Sequence, residues 1–281
     1  MTASVTTGTT KLRPELVLFM VAMHIGALFA LLPANFSWGA IALAVFLHWL
    51  TGGVGITMGW HRLVAHRSFQ TPKWLEYLIV FCGTMSMQGG PIEWIGLHRS
   101  HHVHSDQELD HHNSWKGFWW SHVVWMVHDI PAQAEVPKYT KDIANDPVYV
   151  FLQRYFFPIQ VVFAGLLYWW GGWSFVTWGI FMRIVVVYHC TWLVNSATHR
   201  FGYKTYDSGD RSTNCWWVAV LTYGEGWHNN HHAFQYSARH GLKWWEIDLT
   251  WNMVRLLQAV GLATNVKLPN SKLVNDSVIT G

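Results

Sequence analysis

Residues 16–61 read LVLFMVAMHIGALFALLPANFSWGAIALAVFLHWLTGGVGITMGWH, 46 positions without an aspartate, glutamate, lysine or arginine. Such a run is stable in lipid, where a spanning helix takes about 20 residues. It is long enough for two crossings, and Pro33-Ala34-Asn35 supplies a turn between them, which predicts crossings near 16–33 and 38–59. A second run, 155–199, has Arg183 as its only charged residue and breaks at Trp170-Gly171-Gly172-Trp173, which predicts crossings near 156–171 and 175–197. Hydrocarbon offers no partner to a free N–H or C=O, so each crossing is expected to be helical. The fold class that follows is an all-α membrane protein with four transmembrane helices in two hairpins. Both turns lack lysine and arginine, whereas Lys11, Arg13, Arg62, Arg67, Arg154 and Arg200 flank the opposite ends. The cationic bias of cytoplasmic loops assigns those ends to the cytoplasm.

The rest of the chain fits around these hairpins. Only 12% of the 281 residues are charged, against about 25% in an ordinary soluble domain. Twenty tryptophans suit long membrane–water interfaces. A net charge of +3 with no basic patch excludes nucleic acid as an expected partner. Cys82, Cys190 and Cys215 are scattered and form no paired framework, so they are expected to be small buried residues. Residues 1–14 form an expected flexible tail without a secretory cleavage pattern, and the apolar run after it is read as a retained span. The apolar segment 74–90 is short and contains Glu76, so it is expected to be interfacial or re-entrant. Residues 60–153 and 200–250 then form a helical cap on the cytoplasmic side, completing one domain over 15–250. A C-terminal helix and tail occupy 251–281, loose from Pro269 onward. No internal repeat is visible.

Eighteen histidines ask for an explanation, and their spacing supplies one. His98-Arg99-Ser100-His101-His102 and His228-Asn229-Asn230-His231-His232 each place imidazoles at i, i+3 and i+4, positions that share one helix face. Each box therefore offers several metal-ligating nitrogens from a single helix. His61 and His66 are five apart, about 140° on a regular α-helix, so both can face one centre only if the helix ends or unwinds between them. His199 closes the fourth span at the same membrane face. Nine candidate ligands are too many for one ion and suit two. Imidazole accepts zinc, copper, iron or nickel. A lipid-buried enzyme acting on unactivated C–H bonds needs a redox-active metal with oxygen, which favours iron. Asn195, one turn before His199, is placed to hold a metal through water. His24 and His48 lie inside spans and are expected to be hydrogen-bonded structural residues. Among His104, His111, His112, His122, His128, His189 and His240, some are expected to support ligating rings through the other nitrogen.

The boxes His61-Arg62-Leu63-Val64-Ala65-His66, Glu93-Trp94 through His98-Arg99-Ser100-His101-His102, Trp192-Leu193-Val194-Asn195-Ser196-Ala197-Thr198-His199 and Gly224-Glu225-Gly226-Trp227-His228-Asn229-Asn230-His231-His232 resemble, in order and separation, the membrane fatty acyl desaturases. The similarity covers roughly residues 15–250 and lies with the Δ9 branch, nearest the cyanobacterial acyl-lipid enzymes. It implies a di-iron centre held by His61, His66, His98, His101, His102, His199, His228, His231 and His232, with Asn195 through water. It also implies O2 as co-substrate and a cis double bond made between C9 and C10 of a saturated C16 or C18 chain. By match to the family, Gln88, Trp94, Thr191 and Trp192 line a bent acyl tunnel. Where the acyl-CoA enzymes carry an Arg-Asp pair before the second box, this chain has Ile95-Gly96-Leu97, which favours a glycerolipid-bound chain over acyl-CoA. No haem or dinucleotide motif is present, so an external electron carrier is expected, ferredoxin with cytochrome b5 as the alternative. Two rivals remain at this point, a related di-iron membrane hydroxylase and a histidine-rich metal transporter. Transporters place ligands near mid-membrane, whereas these boxes lie at span ends. The implied setting is the cytoplasmic or thylakoid membrane, with the site on the cytoplasmic face.

Overall fold

The computed structural model describes residues 10–270, 274 and 278, and among these the regular structure is helical, with only isolated β-bridges. Two helical runs are long and apolar enough to cross a membrane, Trp38–Ala65 and Pro147–His199; Pro14–Phe29 is apolar but shorter, at 16 residues. The second run is not one rod. Gly171 and Gly172 leave helical geometry, Gly172 with φ of 65°, a conformation glycine adopts without a Cβ penalty. Beyond them the chain doubles back: a Cβ on Gly179 would meet Leu167 at 2.8 Å, although a straight helix would hold these residues about 18 Å apart. Helix 147–176 begins nine residues before the crossing expected near 156, while the break falls where the glycines predict it.

Both turns lie at one end of the bundle, because the Trp178 indole N–H donates to the Asn35 carbonyl at 3.1 Å. Leu18, Leu28, Val45, Val162, Leu166 and Trp169 expose their side chains on the outer surface, an apolar area that a soluble monomer rarely shows. Arg183 is buried and donates to the carbonyls of Gly179 and Met85.

At the opposite end the winding changes. From Trp49 to Ala65 the helix closes i→i+5 hydrogen bonds, and the turn is completed by His66 N–H donating to His61 C=O at 3.0 Å. In this wider, underwound turn the fifth residue on comes back over the first, and the helix stops at Ala65, so His66, its C-terminal cap, lies on the same side as His61. The chain thus both unwinds and ends between the two histidines, as their spacing of five demands. Lys73–Thr84 packs tightly along this segment: a Cβ on Gly55 would collide with the Gly83 backbone, and the Trp60 indole donates to Val80 C=O at 2.9 Å. At 12 residues, about 18 Å, this helix is too short to cross.

The termini are partly tied down. Residues 1–9 lie outside the described residues, as do 271–273, 275–277 and 279–281, so the expected tails are described only in part. Residues 11–13 run beside 127–129, with Arg13 N–H donating to Val127 C=O at 2.8 Å and Asp129 N–H to Lys11 C=O at 2.9 Å. The Leu249–Ala259 helix buries Val254 in the core that holds Ile56, Leu63 and Ile79.

Candidate metal centre

The boxes meet at the non-turn end of the bundle in two groups of imidazoles. His61, His66, His98, His102 and His231 form a quintet; His101, His199, His228 and His232 form a quartet. Pro91–His104 sends His98 and His102 to the first group and His101 to the second, and the short helix His228–Ala233 divides its three histidines likewise.

In the quintet the Nε2 atoms converge. His61 faces His231 at 3.1 Å, His66 faces His98 at 2.7 Å, and His102 lies 3.0 Å from both His98 and His231. Ligands at right angles around an ion with bonds of about 2.1 Å stand about 3.0 Å apart, and tetrahedral ones about 3.4 Å. The spacing therefore fits an ion of five or six ligands better than tetrahedral zinc. Burial holds His66, His98, His102 and His231 well below the usual imidazole range, and the neighbouring imidazoles add to it. Such rings stay neutral and present lone pairs, the state a metal needs.

In the quartet, His199 and His228 face each other through Nε2 at 3.1 Å, while the buried Nε2 atoms of His101 and His232 have no hydrogen-bond partner. Behind this group stand carboxylates. His101 Nδ1 contacts Asp110 at 3.0 Å, His199 Nδ1 contacts Asp106 at 3.0 Å, and His232 Nδ1 contacts Asp210. Each aspartate fixes a ring and its tautomer, leaving Nε2 for an ion. Burial alone would raise these carboxyls, yet the facing histidines and further hydrogen bonds hold Asp106, Asp110 and Asp210 below the ordinary range. His101 is pulled the other way, raised by Asp110 against its burial.

Among the described residues, one carboxylate serves the quintet. Glu225 lies 2.7 Å from His61 Nδ1 and 3.2 Å from His240 Nδ1, and it accepts from Arg62 at 2.9 and 3.1 Å. Arg62 is fully buried and also donates to Asp248 and to the Ala238 carbonyl. Asn229 accepts from the backbone N–H groups of Thr205 and Tyr206, and Asn230 donates to Glu246 and to the His240 carbonyl. These bonds fix the helix that carries the last box.

Asn195 lines a cavity of about 70 Å³ bounded by His61, His98, His101, His112 and His228, large enough for a water. It also lines a chamber of about 450 Å³ whose walls include Gln88, Trp94, Thr191, Trp192, Phe156 and Met126. Three of the predicted tunnel residues are linked: Trp94 donates to Gln88 Oε1 at 3.2 Å, and Gln88 Nε2 donates to Thr191 at 2.9 Å. Of the remaining histidines, His112 lies against His101 with centroids 4.1 Å apart and the rings tilted, His48 bonds Tyr223, and His24 and His122 each contact His189, away from both groups. The three cysteines are unpaired, Cys215 buried and the others half-buried.

A family model for fatty acid desaturases matches residues 36–264. The sn-1 stearoyl-lipid 9-desaturase of Anabaena variabilis is 67% identical over 94% of this chain and 98% of its own. Its namesake from Synechocystis sp. is 57% identical over 92% and 82%, and the sn-2 palmitoyl-lipid 9-desaturase of Nostoc sp. 52% identical over 89% and 88%. The chain belongs to the fatty acid desaturase family. It is therefore an oxidoreductase that introduces double bonds into acyl chains, in a family that is membrane-associated.

Some residues that build this desaturase site were not visible in the sequence. Asp106, Asp110, Asp210 and Asp248 have no repeated spacing, and their roles come from chain segments that meet only in the fold. A cue existed nonetheless, since buried imidazoles in a chain so poor in charge need carboxylate partners, and Asp106 and Asp110 follow the second box directly.

Proposed function

We propose that this desaturase makes a cis double bond at Δ9 of a saturated C16 or C18 chain esterified in a membrane glycerolipid, using O2, two iron ions and electrons from an external carrier. The observation that carries the reading is the pair of imidazole groups, five and four, set against an apolar chamber. His61, His66, His98, His102 and His231 would hold one iron; His101, His199, His228 and His232 the other, with Asn195 through water. Bound iron supplies oxygen activation for removing hydrogen from an unactivated C–H bond.

The remaining work falls to the protein. Asp106, Asp110, Asp210 and Glu225 keep their histidines in the ligating tautomer. The Trp94–Gln88–Thr191 link spans the chamber wall next to His98 and Asn195 and sets where the acyl chain bends. Phe156, Met126 and Trp192 exclude water. Binding along the whole chain thus positions one pair of carbons for attack.

The glycerolipid reading draws support from the segment before the second box. Ile95 is fully buried, a Cβ on Gly96 would crowd Val136, and Leu97 lines the chamber, so no cation stands there for a CoA phosphate. The names of the relatives, stearoyl-lipid and palmitoyl-lipid desaturases, agree. We further propose one catalytic domain over 15–250 with four crossings, its imidazole end in the cytoplasm or facing the cytoplasmic side of a thylakoid. The reversal at Gly171–Gly172 and the shared end of both turns support two hairpins. Exposed Arg200, Lys204 and Lys243 favour an acidic carrier such as ferredoxin.

Expression in a host lacking this activity, followed by fatty acid analysis of each lipid class, tests the reading. A Δ9 product two mass units lighter, appearing first in intact glycerolipids, is expected. A gain of sixteen units would replace it with hydroxylation, and product confined to acyl-CoA would overturn the lipid assignment.

A further inference from the structure

Three histidines outside both groups form a continuous chain. His24 Nδ1 lies 2.7 Å from the Met20 carbonyl oxygen, and His24 Nε2 faces His189 Nε2 at 3.1 Å. His189 Nδ1 faces His122 Nε2 at 3.1 Å, and His122 Nδ1 lies 2.9 Å from Ser196 Oγ. Ser196 in turn reaches the Trp192 carbonyl oxygen at 2.7 Å. The chain thus has five links of hydrogen-bond length and ends at both sides on a carbonyl, which can only accept.

Each link needs one proton. A neutral imidazole carries one N–H and a serine one O–H, so the three rings and Ser196 supply four. Whichever tautomers are chosen, one link stays empty. A single added proton, converting one ring to imidazolium, completes all five.

The surroundings suit a proton that comes and goes. Among the groups bearing on His122 and His189, the charges are those of the chain's own imidazoles, and no carboxylate or cation from a neighbouring element contributes. His122 stacks on Phe118 at 5.4 Å, and His122 and His189 lie edge-on to Trp192, at 5.7 and 5.0 Å. Burial pushes His122 down to about 4, so an extra proton is held loosely. Trp192 and Asn195, the residue before Ser196, line the acyl chamber.

We propose that His24, His189, His122 and Ser196 form a one-proton site, shared along the chain rather than owned by one ring, that holds a proton against the chamber wall for the reaction to draw on. The use rests on the oxygen-dependent reaction proposed above; the proton count does not. In that reaction –CH2–CH2– plus O2, two electrons and two protons gives –CH=CH– plus two waters. The electrons come from the carrier, and the two protons must arrive through the protein.

The test is a pH titration of the iron-loaded protein in lipid nanodiscs with 15N-labelled histidine. His24, His122 and His189 should move together at one midpoint, taking up one proton in total. His189→Gln keeps a donor and an acceptor, so one link still lacks a proton, but it cannot pass a proton; the extra proton should then settle on a single ring, and His24 and His122 should no longer share a midpoint, while iron content and insertion stay the same. Separate midpoints in the parent, no uptake in the parent, or a midpoint still shared by His24 and His122 in H189Q would overturn the site. In the same variant, desaturation should slow ~10-fold with a larger D2O effect, as expected when proton transfer becomes limiting. An unchanged rate with the shared titration lost would overturn that use. If no unsaturated product forms with the parent protein, the proposed reaction fails while the titration still decides the site.

Discussion

The quintet and the quartet draw on the same two helices, yet their surroundings differ in charge. Three of the four quartet rings lean on aspartates, whereas among the described residues the quintet has Glu225 alone, and that carboxylate is shared with Arg62 and His240. Carboxylates behind a ligating ring raise its basicity and tighten the metal. With iron bound as proposed, the quintet would gain its hold from ligand number and the quartet from the groups behind the ligands. The two ions would then sit in unlike electrostatic settings.

The largest effect should come from removing a ligand on either side. His98→Ala and His228→Ala should each lower unsaturated product at least ~100-fold, and metal analysis of the purified variants should find about one iron per chain instead of two. Two irons retained in either variant would dissolve the division into groups.

Next come the carboxylates, which should fail in different ways. Glu225→Gln should lower unfolding stability by about 3 kcal/mol, because Arg62 stays buried with one partner fewer. Asp210→Asn should leave the unfolding temperature nearly unchanged while weakening quartet iron ~10- to 100-fold. Calorimetry and iron titration on both variants separate the two outcomes.

A chelator should sharpen the contrast further. Iron should leave in two phases, the quintet ion about 10-fold faster, since the aspartates behind the quartet rings are worth about that much. The phases are assigned by repeating the experiment on His228→Ala, in which the fast phase alone should survive.

The smallest effect is that of acid on the metal-stripped chain. Burial keeps His232 neutral down to about 4, whereas the unfolded chain takes up that proton below about 6.5. Stability from such rings is therefore complete above pH 6.5 and is lost as pH falls toward 4, by about 1 kcal/mol per ring at pH 5.5. His101 runs oppositely, since Asp110 raises it; its contribution is complete below pH 6.5 and declines above. Asp110→Asn should accordingly make acid unfolding steeper, which a series of thermal melts between pH 7.5 and 5 checks.

Much of this organisation could be read before any coordinates. Triads at i, i+3 and i+4 are a property of helix geometry, so His98, His101, His102, His228, His231 and His232 were assigned together, and the break at Gly171–Gly172 followed from residue type. The His61–His66 pair was harder. Its spacing contradicts an α-helix, and nothing local says whether the chain answers by ending or by widening its turns; it does both, widening where it packs closely against Lys73–Thr84 and ending at Ala65. The division of nine ligands into five and four was also hidden, because adjacent residues such as His101 and His102 serve different groups, and only the meeting of distant helices decides which.

Arg62 carries a consequence for how the protein is made. It sits in the first box, but its carboxylate partners, Glu225 and Asp248, lie 163 and 186 residues later. At roughly 5–20 residues per second, the ribosome needs on the order of 10 to 30 s to deliver the first of them. Throughout that interval the nascent chain must leave this guanidinium in water, so the first box cannot close early and trap a stray ion before its partners exist.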